Sequence, residues 1–225
     1  MLVNLESVLF DLQSLGDPRA IELWRKLGYK VEKYFGVNLT NIKLISKKIK
    51  INHELSVQLW ESGYHDAKLL ATYISDHNKI DELTIDKWSL ALNSWDLSDK
   101  FCENAVSKTN FAEKKIEEWL TSDNVMQRRC AYILIYNICK IGKKVSNPLK
   151  YLTPVKTGLL DIENSVRDGA NYAIIGLGSI SEEMKTECLN ILKETGKPKI
   201  TLYGSCKPPD AEKLIMNGKK GRFGK

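Results

Sequence analysis

Apolar residues recur at helical spacing along almost the whole chain, and this pattern constrains the fold more than any other feature. Near the start, Leu5, Val8, Leu9 and Leu12 are three or four positions apart, as on one face of a helix. Strands nowhere alternate with helices, which argues against a parallel sheet, and only 199–203 has an extended pattern. Further helices are predicted near 18–27, 38–51, 53–61, 64–75, 84–92, 96–107, 111–121, 124–141, 148–159, 165–177 and 182–194.

Successive helices joined by short turns predict an all-α fold in which antiparallel helix pairs stack as a helical-repeat solenoid. No clean sequence repeat is evident, so this prediction depends on the number of helices, and a compact bundle is the alternative. We predict one helical-repeat domain at 1–196 and a short, irregular, basic C-terminal extension at 197–225.

Composition excludes several classes of protein. The 225 residues are 43% hydrophobic and 28% charged, as in globular proteins. The longest apolar runs, such as 131–135 and 173–177, are too short to cross a bilayer. The N-terminus lacks the pattern of a secretory signal, so we expect a cytoplasmic protein.

The five cysteines and three histidines have neither zinc-site spacing nor a disulfide framework, so no metal is predicted. The cysteines lie mostly among apolar neighbours and are interpreted as packing residues. The neighbours His65 and Asp66 have the residue types of an acid–base pair, but adjacent residues on a helix point in different directions. We therefore interpret them as two surface groups.

The positive charge is concentrated at one end of the chain. The formal net charge is +6, and residues 185–225 carry this entire excess, so the preceding part is neutral. A basic, glycine-containing end is either a solubilising tail or an arm that contacts nucleic acid.

The segment 93–99 combines groups that can act on a flat, cationic substrate. On a helix that starts at Ser94 or Asp96, Trp95 and Asp99 are one turn apart on the same side. An indole ring attracts cations, and a carboxylate stabilises developing positive charge. The alternative is structural: Asp96 caps the helix, Asp99 favours the positive end of its dipole, and Trp95 belongs to the core.

Two later helices carry basic residues next to apolar ones. Arg128 and Arg129 open the helix at 124–141, where an arginine can bind a DNA phosphate or pair with Asp99. The alternative is a solvated Arg128 and a structural ion pair for Arg129. A base, Arg167, and an aromatic residue, Tyr172, share the helix at 165–177.

In this order, these segments resemble the AlkD-like DNA alkylation repair family of HEAT-like repeat DNA glycosylases. The resemblance runs from about residue 26 to 225. It is carried by YFGVNLTNIKLISKKI, HELSVQLWESGYHDAKLLATYISD, the SWDLSD box, FAEKKIEEWLTSDNVMQRRCAY, NSVRDGANYAI and the C-terminal YGSCKPPDA. The SWDLSD box followed by an arginine-bearing helix is the most specific part.

The resemblance implies an enzyme that removes N3- or N7-alkylated purines from double-stranded DNA without any cofactor. We expect such a protein to be a monomer that is associated with the nucleoid when bound to DNA. It implies that Asp99 is the catalytic carboxylate, that Trp95 contacts DNA around the lesion, and that Arg129 is a cleft arginine. It implies that Tyr172 replaces a tryptophan that lines the DNA-binding cleft in many members. Arg128 and Lys47 are further candidates for contact with DNA.

Four positions depart from the family's pattern. Tyr172 presents a smaller face than tryptophan, Asn164 and Ser165 replace bulky aromatics, and Leu27 stands near a position that is tyrosine in some members. Two other hypotheses therefore stay open. One is a non-catalytic DNA-binding protein of the same family, and the other is a helical-repeat scaffold for an acidic protein partner.

Overall fold

Helices are the only regular secondary structure among the described residues. The computed structural model describes residues 3–26, 32–142, 145–202 and 207–218. These ranges hold thirteen α-helices, a π-helical segment (Phe101–Val106) and a 3-10 helix (Pro148–Tyr151), which confirms the all-α prediction. The α-helices are α1 (Leu5–Ser14), α2 (Pro18–Lys26), α3 (Leu39–Ile49), α4 (His53–Glu61), α5 (His65–Ile74), α6 (Glu82–Leu90), α7 (Trp95–Lys100), α8 (Ala112–Leu120), α9 (Val125–Lys140), α10 (Leu152–Leu159), α11 (Asn164–Leu177), α12 (Glu182–Thr195) and α13 (Ala211–Met216).

Polar side chains at the first turns define where many of these helices begin. An N-terminal turn leaves backbone N–H groups without partners, and a side-chain oxygen at the capping position satisfies them. Seven capping side chains accept such bonds: Asn4, Asn38, Asn52, Asp81, Asn124, Ser181 and Asp210. The boundaries are therefore encoded locally.

The chain forms two compact units, the first at 1–109 and the second at 110–225. In the first unit, α5 packs against α3, α4 and α7. Trp60 and Trp88 stack with ring centroids 4.2 Å apart, and Phe101 contacts both rings. Large aromatic residues therefore supply much of the buried apolar surface of this unit. The predicted boundary between 196 and 197 stays a prediction.

The interpretation of His65 and Asp66 as surface groups was wrong, because both are buried at the start of α5. Asp66 accepts hydrogen bonds from the backbone N–H groups of Phe35 and Val37, each at 2.6 Å. The segment before α3 folds against this carboxylate. These bonds compensate the desolvation of the Asp66 carboxylate. They join distant parts of the chain, so the sequence does not reveal them.

In the second unit, α9 and α11 pack closely side by side. Glycines permit the close approach: a Cβ atom at Gly176 would come within 2.9 Å of Tyr136 Cα. Helix α8 packs on α9, and α10 packs on α11. Each of these two pairs is thus one outer and one central helix of a repeating arrangement.

A repeat that the sequence analysis did not find relates these two pairs. Arg128 is the fourth residue of α9, and its Nη1 donates to the carbonyls of Ser122 and Asp123, six and five positions earlier. Arg167 is the fourth residue of α11, and its Nη1 donates to the carbonyls at the same two offsets, Asp161 and Ile162. Each arginine therefore ties down the loop that enters its helix.

The C-terminal segment is attached along α11, although it had been predicted as an irregular extension. Asn164 accepts from the N–H of Thr201 at 2.9 Å and donates to its carbonyl at 2.8 Å. Further along the same helix face, Asn171 donates to the carbonyl of Pro209 at 2.9 Å. Helix α13 lies within this segment, and its residue Ile215 is buried against Gly178.

The cysteines with described surroundings are buried, as predicted for packing residues: Cys102, Cys130, Cys139 and Cys188. Burial raises the pKa of the Cys188 thiol to about 12. Cys206 lies outside the described residues. No helix in the described part of the chain is long and apolar enough to cross a membrane.

Candidate nucleic-acid interface

Helix α7 carries the two residues with the chemistry proposed from the sequence. Ser94 is the N-cap, so Trp95 is the first residue of the helix and Asp99 the fifth. The two side chains lie on the same side of α7, one turn apart, and both are half-buried. The spacing predicted for an indole beside a carboxylate is therefore present.

A buried histidine supports the first turn of α7. His65 Nε2 lies 3.1 Å from an oxygen of Asp96, and the second oxygen of Asp96 accepts from the N–H of Leu97 at 2.9 Å. Burial favours a higher pKa for Asp96, but the charge of His65 and the hydrogen bonds from His65 and from the N–H of Leu97 outweigh it and lower the pKa. Asp96 thus stays ionised and attaches the first turn of α7 to His65.

Helix α7 continues into the π-helical segment directly after its last residue, Lys100. The N–H of Ser107 donates to the carbonyl of Cys102, five positions earlier, at 2.9 Å. Widened turns of this kind are rare and frequently occur at functional sites. Here the change of helical type follows the candidate carboxylate within two residues.

Lys47 lies in the last turn of α3 and is exposed. In the second unit, Arg128 is half-buried, and its guanidinium is used to hold the Ser122 and Asp123 carbonyls, while Nε lies 3.7 Å from Asp161. These bonds use much of the donor capacity of Arg128. Its main role in the structure is therefore to hold the loop before α9 in place.

Arg129 is buried and forms an ion pair within the second unit. Its Nη1 donates to Asp168 Oδ2 and to the carbonyl of Ser165, both at 2.8 Å. Only 1% of the Arg129 side chain and 5% of the Asp168 side chain are exposed. The pair joins α9 to α11, so Arg129 has the structural role that the sequence analysis considered as its alternative.

Tyr172 is also buried, with its ring edge-on to Tyr136 and the ring centroids 5.5 Å apart. Asn164, a second position that departs from the family pattern, binds the C-terminal segment through Thr201. Leu27, another such position, lies outside the described residues. In this chain Tyr172 thus has a packing role and Asn164 a tethering role.

The structure places the predicted residues in two groups. Trp95 and Asp99 share α7 of the first unit, whereas Arg128, Arg129 and Tyr172 lie on the adjacent helices α9 and α11 of the second. Asp99, Arg129 and Asp168 are each the fifth residue of their helix. This alternation of charge at one repeat position is a signal that the sequence analysis missed.

The described residues contain no cluster of three or more His, Cys, Asp or Glu side chains that could hold a metal ion. The chemistry available at α7 is instead that of an aromatic face and a carboxylate. Such a pair can hold a flat cation and stabilise positive charge that develops during reaction.

Comparison with known proteins identifies the family and the fold class of this chain. A family model described as DNA alkylation repair enzyme matches residues 8–202. A solved structure, described as a new family of proteins related to the HEAT-like repeat DNA glycosylases with affinity for branched DNA structures, has a TM-score of 0.81 with this protein. The identity is 22%, over 96% of this chain and 93% of that one, so this likeness shows a HEAT-like helical-repeat fold.

The chain belongs to the DNA alkylation repair enzyme family, as its resemblance predicted. Two uncharacterized proteins, from Listeria innocua serovar 6a and Listeria monocytogenes serovar 1/2a, are each 26% identical to it over 219 residues. Each match covers 95% of this chain and 96% of the relative.

Proposed function

We propose that this protein is a monofunctional DNA glycosylase that excises N3- or N7-alkylated purines from double-stranded DNA by hydrolysis of the N-glycosidic bond. Its family membership and the placement of Trp95 and Asp99 one turn apart on α7 support this function. The position of Asp99 beside an aromatic face is the observation that carries the proposal.

The proposed reaction needs little chemistry from the protein. An alkylated purine is already cationic and leaves readily, so the sugar acquires oxocarbenium character as the bond to C1′ breaks. The carboxylate of Asp99 stabilises that charge and orients the attacking water. No lysine acts as a nucleophile, so no Schiff-base intermediate or strand cleavage follows.

Trp95 has a binding role in this proposal. Its ring packs against a sugar or a base of distorted DNA, which is favourable for any base because each has a π-face. The pair formed by His65 and Asp96 keeps the first turn of α7 in place while DNA is bound. Arg129 contributes through the packing of α9 on α11, with contact to DNA as an additional proposed role.

The direct test is the release of methylated bases. Duplex DNA that contains 7-methylguanine or 3-methyladenine is incubated with an excess of protein, and free base is measured by chromatography. We expect release above the spontaneous rate, and Asp99→Asn should reduce it by roughly 100-fold or more. Asp11→Asn, at an exposed position on α1, is the matched control.

Two results would contradict this function. Release that stays at the spontaneous rate with folded wild-type protein would refute excision. An Asp99→Asn variant as active as the wild type would refute the assignment of the catalytic carboxylate.

A second candidate is a family member that binds DNA without excising bases. The burial of Tyr172 where many members have a cleft tryptophan favours it, because fewer aromatic groups then remain to hold a lesion. The related solved structure is described as having affinity for branched DNA. Tight, salt-sensitive binding to a four-way junction without base release from methylated duplex would select this function.

A further inference from the structure

A polar pocket of the first unit, which we call the lysine pocket, lies next to the start of α7. Its volume is about 410 Å³, and its lining residues are Glu32, Lys33, Glu61, Ser62, Gly63, His65, Lys68 and Asn93. Asn93 is two positions before Trp95, and His65 is the residue that binds Asp96. One lining residue of the pocket, His65, therefore also supports the start of α7.

Lys68 is a half-buried cation that has no carboxylate partner among the described residues. No carboxylate oxygen of a described residue lies within 4.0 Å of its ammonium group. Burial lowers the pKa of Lys68. Its Nζ lies 5.7 Å from the centroid of the Trp60 ring, which compensates only part of the lost hydration. An anion that enters the pocket would therefore stabilise the charged form of this ammonium group.

Lys33 supplies a second ammonium group at the same pocket. Its Nζ lies 5.8 Å from the centroid of the Tyr64 ring, and among the described residues it too has no carboxylate within 4.0 Å. The Lys33 carbonyl accepts from the N–H of His65 at 2.8 Å, so the backbone of this lysine is fixed to the start of α5.

The acidic residues of the pocket do not cancel this charge. Glu61 is engaged by Lys87, whose Nζ lies 2.8 Å from a carboxylate oxygen. Glu32 is exposed. Two lysines without carboxylate partners among the described residues thus line a space that is large enough for a tetrahedral oxyanion. Lysine ammonium groups form charge-assisted hydrogen bonds with anions of this kind.

We propose that the lysine pocket binds a phosphate group, which is a backbone phosphate of the DNA that approaches α7. This inference rests on the proposed function for the identity of its ligand. A phosphate held beside the start of α7 would fix the position of the duplex relative to Trp95 and Asp99 without reading its sequence.

The test measures affinity for an unmodified duplex as a function of salt concentration. Lys33→Gln with Lys68→Gln should weaken binding about tenfold at low salt and reduce the log–log salt slope by about 0.9 for each phosphate that is no longer neutralised. Lys68→Arg should keep affinity near that of the wild type. Lys79→Gln, which removes an exposed lysine outside the pocket, is the control. Lys33→Glu, which reverses the charge of an exposed side chain at the pocket, should also weaken binding.

The outcomes separate this inference from the proposed function. If the wild type binds DNA and the pocket variants bind it equally well, the inference is overturned, whereas DNA binding itself stands. If the wild type binds no DNA, the proposed function fails, and a titration with inorganic phosphate followed by amide NMR decides the pocket. Saturable changes in amide chemical shift that Lys68→Gln abolishes would support a phosphate site whose ligand is free phosphate. The absence of such changes would refute a phosphate site in the pocket.

Discussion

The imidazole of His65 lies 3.1 Å from the carboxylate of Asp96, which joins the first residue of α5 to the first turn of α7. Only 1% of the His65 side chain is exposed, against 21% for Asp96. Trp24 also packs on the histidine, with its ring centroid 4.9 Å from that of His65. A buried group of α5 therefore holds the first turn of α7.

Asp96→Asn should destabilise the protein by about 1–3 kcal/mol at pH 7, because a hydrogen-bonded charge is removed beside His65. The pKa of Asp96 is lowered in the folded state. Its contribution is therefore complete above the unfolded pKa, near 4, and is lost as the pH falls through the lower folded value. Urea unfolding at several pH values should show a difference between variant and wild type that narrows below about pH 4. A difference independent of pH would contradict this account, and Asp11→Asn is the control.

Arg129→Met should cost about 3–5 kcal/mol of stability, because it leaves the Asp168 carboxylate buried without its partner. The double variant with Asp168→Leu should recover much of this loss, since apolar side chains then replace both charges. Denaturant unfolding of the two single variants and the double variant measures the coupling. Strictly additive losses would show that the two residues stabilise the unit independently.

Trp95→Ala should weaken binding to duplex DNA roughly tenfold or more, the usual effect of removing one stacking surface. Trp95→Phe should lose less. Fluorescence anisotropy with a labelled duplex measures both, and Phe10→Ala removes an aromatic side chain that is 70% exposed on α1 as a control. Equal affinities for wild type and Trp95→Ala would remove Trp95 from the DNA-binding surface.

Two truncations should separate stability from charge at the C-terminus. Ending the chain after Lys197 removes α13 and uncovers the buried side chains that Ala211 and Ile215 pack against, so we expect a loss of about 3 kcal/mol or more. Ending it after Gly218 removes four basic residues and leaves every described helix in place, so stability should be unchanged while DNA affinity falls and the salt slope decreases.

Thermal unfolding and salt-dependent DNA binding of both truncated proteins decide between these roles. A protein ending at Gly218 that binds DNA as well as the full chain does would show that the basic end is a solubilising tail. A protein ending at Lys197 with unchanged stability would contradict the packing role of the segment.

Local features of the sequence predicted the helices well. Helical spacing of apolar residues and capping residues such as Asn38, Asn52 and Asn124 act over a few positions, so they can be recognised without tertiary contacts. The order of the SWDLSD box and the arginine-bearing helix was sufficient for the family. The same spacing placed Trp95 and Asp99 on one side of α7.

Contacts between distant parts of the chain could not be read in this way. His65 and Asp96 are 31 positions apart, and Arg129 and Asp168 are 39 apart. Whether a charged side chain is solvated or buried depends on which partner the fold brings to it, and composition gives no access to that partner. For the same reason the attachment of the C-terminal segment by Asn164 and Asn171 was not foreseen.

The amino-acid sequence by itself thus determined the all-helical class, the family and the spacing of the candidate residues on α7. The tertiary structure decided which charges are used internally: Asp66, Arg128 and Arg129 bind the protein's own backbone or an internal carboxylate. It also decided which remain available, since Lys33 and Lys68 face a pocket without a carboxylate partner in the described part of the chain. The physical reason is that the free energy of a charge is set by its surroundings, and these are assembled only when distant helices pack together.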